Sequence, residues 1–377
     1  MKSCIFFLTF ALVAAPGAFG QRHKLGEVNA ETPEGQLLQQ IGQESDDAKK
    51  LGLLEQFAAK HPKHEAAGWV YEQLQAGYLK ANQPDKVIEV GDKLLAIDAE
   101  HLEAAHQSLK AAEARKDPDL VVKWSNQTSQ IAKKVVAAPK PKEEEEVEEW
   151  KRRVDYAKQV DTYTEYSLYA NALQVPDPKK RIELIEALEK RNPNSEYLAK
   201  AVHHRFLAYR QAGDNQKAVA LAEKVLATDQ SNEDMLLVVT DQYLQTKREP
   251  EKVYSYSSKM IELMSAKPKP EGVSDADWTG RKNLIIGLAR YMGGKQYFNE
   301  NKLAAADKEL RAALPLVENN MNMKAEVLFL LGLANYKMEK IQEAANFNRA
   351  CAAIKSPYQA QAAKNLAVIR TQYRGVK

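Results

Sequence analysis

Residues 324–357, KAEVLFLLGLANYKMEKIQEAANFNRACAAIKSP, decide how this chain folds. Leu328, Leu331 and Asn335 fall on one stripe of a first helix, with Gly332 beside Leu331. A polar turn follows at Met338–Lys340. Ala344, Phe347, Cys351 and Ile354 then recur at spacings that fit a second helix and no strand. Gly332 and Ala344 are small, so the two helix backbones can approach closely.

The stretch resembles a tetratricopeptide repeat. That pattern sets a bulky residue, Leu-Gly, Tyr, Ala, an aromatic and Pro at fixed offsets in about 34 residues. Leu328, Leu331, Gly332, Ala344 and Pro357 match it. Asn335 stands where Tyr is expected, with Tyr336 one place late, and Pro357 is also late by one. The resemblance is to a tetratricopeptide repeat protein of the exported bacterial type. It implies an all-α, right-handed α-α superhelical solenoid of helix pairs, and binding as its work.

The same period runs outward through the chain. It is clear in 66–99 (Tyr71, Leu74, Tyr78, Val87, Leu94) and in 195–231 (Val202, Tyr209, Ala218, Ala222, Val225). It is weaker in 34–62, 101–136 and 275–318. Asp46 or Asp47 should cap the second helix of the first pair, and Pro84 should open the second helix of the next. Glu143–Glu146 open a long helix running to about Leu173, where the dipole favours their charge. Tyr358–Tyr373 reads as a terminal solvating helix. About eight helix pairs follow from this period. The expected organisation is a signal peptide at 1–20, a disordered segment at 21–33 and N-terminal repeats at 34–136. A Pro/Lys/Glu linker at 137–146 and C-terminal repeats at 147–377, broken at 265–274, complete it.

Composition agrees. Of 377 residues only 17 are Gly and 15 Pro, and Lys+Arg 54 against Asp+Glu 51 leaves a net charge of +3. No single-sign field marks a nucleic-acid partner. The start differs from the rest: Lys2, an apolar run from Ile5 to Ala15, Pro16-Gly17, then small residues before Gln21. That is the pattern of a cleaved secretory leader, too short to span a membrane comfortably. It predicts an exported chain, periplasmic or secreted, with no integral membrane segment after leader removal. Cys4 lies in the leader, which leaves Cys351 as a packed core thiol.

No catalytic constellation emerges. His61 and His64 flank a loop Pro, His101 and His106 point to different faces of a helix, and His203 and His204 diverge. The expectation is no metal site, no cofactor and no enzyme activity. Gly293-Gly294 lacks the residues of a phosphate loop and reads as close helix packing. Asn126-Gln127-Thr128 is a glycosylation sequon by pattern only.

What remains is surface. In tetratricopeptide arrays the first helix of each pair lines a concave groove, as the resemblance implies. Carried over by position, the groove takes Glu72, Ala76 and Leu79, then Tyr166, Ala170 and Leu173, then His203, Leu207 and Arg210. It continues with Leu237, Asp241 and Leu244, then Tyr291, Lys295 and Phe298, then Phe329, Leu333 and Tyr336. Trp69 and Tyr163 border it. The expected protein-binding residues are Trp69, Tyr163, Tyr166, His203, Arg210, Tyr291, Phe298, Phe329 and Tyr336. Large apolar groups on such a face suit a protein or extended peptide. A Lys/Asn clamp for a peptide carboxylate looks absent. The leading expectation is a non-catalytic exported scaffold of unspecified partner and oligomeric state. The alternatives are a structural subunit of a cell-envelope assembly or self-associating oligomer and, remotely, a hydrolase with an unrecognised site.

Overall fold

The computed structural model describes residues 22–26, 28, 29 and 31–373. The expected leader, 1–20, lies outside the described residues. Among the described residues there are seventeen α-helices and no strand. They are α1 (Pro33–Gln43), α2 (Asp47–Lys60), α3 (Ala67–Lys80), α4 (Pro84–Ile97), α5 (Leu102–Ala114) and α6 (Pro118–Ala137). Next come α7 (Glu144–Gln174), α8 (Pro178–Arg191), α9 (Glu196–Gln211), α10 (Asn215–Leu226), α11 (Glu233–Thr246) and α12 (Pro250–Ala266). The last are α13 (Asp275–Asn299), α14 (Leu303–Ala313), α15 (Met321–Lys337), α16 (Ile341–Ala352) and α17 (Gln359–Gln372).

The helix starts are written in the sequence. Asp46, Asp117, Asp177, Asp214, Asn232, Ser274 and Asn320 each accept a backbone N–H of the first turn they precede. Pro opens α1, α4, α6, α8 and α12, where its missing N–H costs nothing.

The turns inside the pairs repeat one backbone design. Asn82, Lys116, Gly213, Lys247, Asn301 and Glu339 all take left-handed φ, between 52 and 78°. In each case the next residue donates its N–H to the carbonyl five places back: Gln83 to Tyr78, Asp117 to Ala112, Asp214 to Tyr209, Arg248 to Tyr243, Lys302 to Tyr297 and Lys340 to Asn335. This is the closing bond of a Schellman motif, and it satisfies a helix-end carbonyl that would otherwise be orphaned. Six turns closed by the same bond make the chain a repeat at the level of its backbone. The α7–α8 connection solves the same problem differently, with the Arg181 guanidinium donating to the Ala172 and Val175 carbonyls at 3.1 and 2.8 Å.

The chain divides into two compact units, one extending to Ala208 and one from Tyr209 onward. In the first, consecutive helices pack on one another from α1 to α8, and α3 also touches α5, α5 touches α7, and α6 touches α8. Odd-numbered helices therefore form one layer and even-numbered helices the other. The second unit repeats this: α11 touches α13, α13 touches α15, and α15 touches α17. The core of the first unit is built on Phe57, Trp124, Leu109, Leu168 and Ile185, all fully buried.

The packing bears on three of the segments named above. The segment at 137–146 does not end a packing unit, because α7, 31 residues and roughly 46 Å long, returns along α6. Likewise α12 and α13 pack along each other across the 265–274 break. In the segment 21–33, expected to be disordered, the described residues make contacts with the first unit. Leu25 and Val28 pack on the core around Leu38, Phe57 and Tyr71, Arg22 donates to Asp98 at 3.0 Å, and the His23 N–H donates to Glu72 at 3.1 Å.

Polar clamps hold helices where the repeat pattern departs from its consensus. Asn335, fully buried in α15, donates to Asp307 of α14 at 2.6 Å and to the Leu331 carbonyl at 2.9 Å. Arg311 closes the cluster by donating to Asp307 at 2.8 Å and by pairing with Glu343. Buried Gln75 does similar work, donating to the Val87 and Ala104 carbonyls of α4 and α5. Gly294 is required by close approach, since a Cβ there would meet Leu310 at 2.9 Å.

Candidate protein-binding face

In each unit the odd-numbered helices form the layer where the resemblance puts a groove, and the two units differ. In the second unit most of the expected groove rings are spoken for. Tyr291 is 8% exposed, its hydroxyl accepts from Lys295 at 2.9 Å, and Lys295 donates to Glu326 of α15 at 2.7 Å. Phe329 sits with Leu328, Cys351 and Ala362, 5.2 Å from the Tyr358 ring. Phe298 is half-buried beneath Lys337, whose Nζ lies 5.2 Å from the ring centroid. Tyr336 is 36% exposed, with its hydroxyl donating to Gln372 of α17 at 3.0 Å and Tyr373 edge-on. Of these four rings, Tyr291 belongs to the interior, and Phe329 packs under residues leading into α17. Arg210 is exposed, bonded to Asn215 at 2.8 Å.

The first unit keeps more of its face open. Tyr166 is 40% exposed and lies 6.2 Å from Tyr163 and 5.9 Å from Tyr197. Tyr197 stacks on Tyr169 at 5.4 Å, and Tyr163 meets His106 edge-on at 5.3 Å. Five rings thus run without a gap from α5 across α7 to α9: His106, Tyr163, Tyr166, Tyr197 and Tyr169. Lys200 covers the Tyr197 ring at 4.9 Å. Trp69 is half-buried against the core around Leu38, Phe57 and Tyr71, and His203 is exposed beside His204. Sequence reasoning found Tyr163 and Tyr166. It missed His106, Tyr169 and Tyr197, although Tyr169 lies three places after Tyr166, on the neighbouring turn of the same helix.

Beneath these rings lies a buried polar floor. Tyr163 donates to Glu113 at 2.7 Å. Tyr156 donates to Glu103, and its oxygen lies 3.0 Å from His106 Nδ1. With that oxygen accepting, His106 carries its proton on Nδ1 and leaves Nε2 a bare lone pair, buried and without a partner. Burial, and then Lys110 nearby, push the His106 pKa down to about 4, so the ring is neutral at pH 7. Burial pushes the Glu113 carboxyl up. The floor holds the tyrosines in place, with Glu113 accepting from Tyr163 and Glu103 from Tyr156.

A second cluster lies nearer the N-terminus, on α3 and at the start of α5. Glu72 Oε1 accepts from the His23 backbone N–H at 3.1 Å and is 2.8 Å from His101 Nε2. The His23 and His101 rings are 5.8 Å apart. Residues 23, 72 and 101 are too far apart in sequence for a spacing rule to join them. Cys351 is inert by contrast: Sγ donates to the Ala325 carbonyl at 3.2 Å and burial pushes its pKa up to about 11.

No family model matches this chain, and no curated protein matches it. Among solved structures it is similar to a crystal structure of the P58(IPK) TPR domain, at 14% sequence identity and a TM-score of 0.26. That similarity covers 90% of this chain and 98% of the other. A likeness at that score adds nothing to the helix-pair architecture, which rests on the packing and turns described above. No helix among the described residues is long and apolar enough to cross a membrane.

Proposed function

We propose that this chain is a non-catalytic scaffold of tetratricopeptide type that binds a protein or extended peptide on its odd-helix face, with the tyrosine run of the first unit as the seat. One observation carries this reading: Tyr166 is exposed between Tyr163 and Tyr197, on a layer whose helices are already held together by other residues. Rigid rings with polar tips combine large contact area with low entropy cost, which is why Tyr is enriched in binding surfaces. The leader pattern supports export, and the partner then belongs to the envelope or the medium. Removal of the Tyr166 and Tyr197 rings by Ala should weaken partner capture by roughly 2 kcal/mol or more per anchor. Crosslinking pull-down and thermal melting of the double variant test this together. Capture lost with melting kept supports the seat; capture kept with melting kept removes it.

A further inference from the structure

We propose that His23, Glu72 and His101 form a site for one divalent transition-metal ion of the zinc, cobalt, nickel and copper class. The three residues come from the N-terminal segment, the middle of α3 and the cap of α5, and they bring one donor atom each within 4.8 Å of one another. The Glu72 and His101 side chains are 10% and 7% exposed. Both His23 Nε2 and Glu72 Oε2 are buried with no hydrogen-bond partner. Two such atoms left unpaired in one place are costly, and a cation between them satisfies both. Two imidazoles and a carboxylate suit borderline metals, whereas calcium and magnesium call for oxygen donors. Charge agrees: Glu72 and Asp98 stand against Arg22, which is paired with Asp98. Asp98 Oδ2, held by Arg22, is 3.8 Å from His23 Nε2 and adds negative charge beside the site.

The cap of α5 tempers the affinity. His101 Nδ1 accepts the Ala104 N–H at 3.2 Å, so in the metal-free chain Nε2 bears the proton and donates to Glu72. A metal on Nε2 shifts that proton to Nδ1 and breaks the cap bond. Losing a cap of this kind weakens binding about five- to tenfold. The ion would fasten the N-terminal segment to α3 and α5 over Gly68, where a Cβ would strike the His23 ring at 2.7 Å.

The test uses the full chain, stripped with a chelator and titrated with cobalt(II) by absorption and with zinc(II) by calorimetry. One ion per chain is expected, with affinity falling at least tenfold in His23→Ala, Glu72→Gln and His101→Asn. Asn retains a capping side chain, and His23 lies outside the described helices, so helix content by circular dichroism should hold in both. A His64→Ala control should bind as the parent does. No stoichiometric uptake by the parent, or uptake unchanged in the three variants, overturns the proposal.

Discussion

Tyr166 and Tyr291 occupy the same place in the repeat register, yet one is 40% exposed and the other 8%. The difference lies in the neighbours: Lys295 and Glu326 close over Tyr291, while Tyr166 lies beside the rings of Tyr163 and Tyr197. Tyr291→Ala should therefore cost about 3 kcal/mol or more in a denaturant titration, whereas Tyr166→Ala should stay within about 0.5 kcal/mol. His106 supplies a prediction in pH. Its folded pKa, about 4, lies below the ordinary 6.5, so the unfolded chain takes up the proton first. Its contribution is complete above pH 6.5 and is lost as pH falls toward 4, by roughly 3 kcal/mol. Unfolding followed across that window should show this slope, and His106→Gln should flatten it. Asn335 shows why a register alone misreads a residue. It fills a Tyr slot, but its amide serves Asp307 across a helix boundary, a contact with no trace in local periodicity.

At the scale of helices, much is legible in the sequence. The caps, the Pro starts and the long α7 follow from local chemistry, because a cap or a period needs only its own neighbours. What cannot be read is what one helix does to another. Composition makes the last helix a solvating end for the array. Its Ala362 and Ile369 are buried, and Gln372 reaches back to Tyr336, so α17 also covers part of the expected groove. The pairing of α15 with α16 gives a direct check, since Ala344 is fully buried. Ala344→Trp should overpack the pair and cost roughly 1–3 kcal/mol or more, read as a fall in melting temperature. An unchanged melting temperature would mean that the register of residues 324–357 is wrong.

For the whole molecule, the sequence marks punctuation but not packing. Pro-Lys segments do mark helix ends, yet α6 and α7 bury each other across the first of them. A protease nick at 139–142, where the residues are exposed or half-buried, should therefore leave both fragments associated through gel filtration. Fragments that separate would restore the linker as a boundary. The candidate face is half legible. Tyr163 and Tyr166 lie on one periodic helix, but Tyr197 and His106 reach them from other helices, and the His23 cluster needs a segment whose sequence carries no period. The decisive measurement is photocrosslinking in the cells that make the chain, with a benzophenone amino acid at Tyr166 or at exposed Glu89 on even-layer α4. The same partner protein should be trapped from position 166 and not from position 89. Adducts from position 89 and none from 166 would place binding on the other layer and contradict a seat on the tyrosine run.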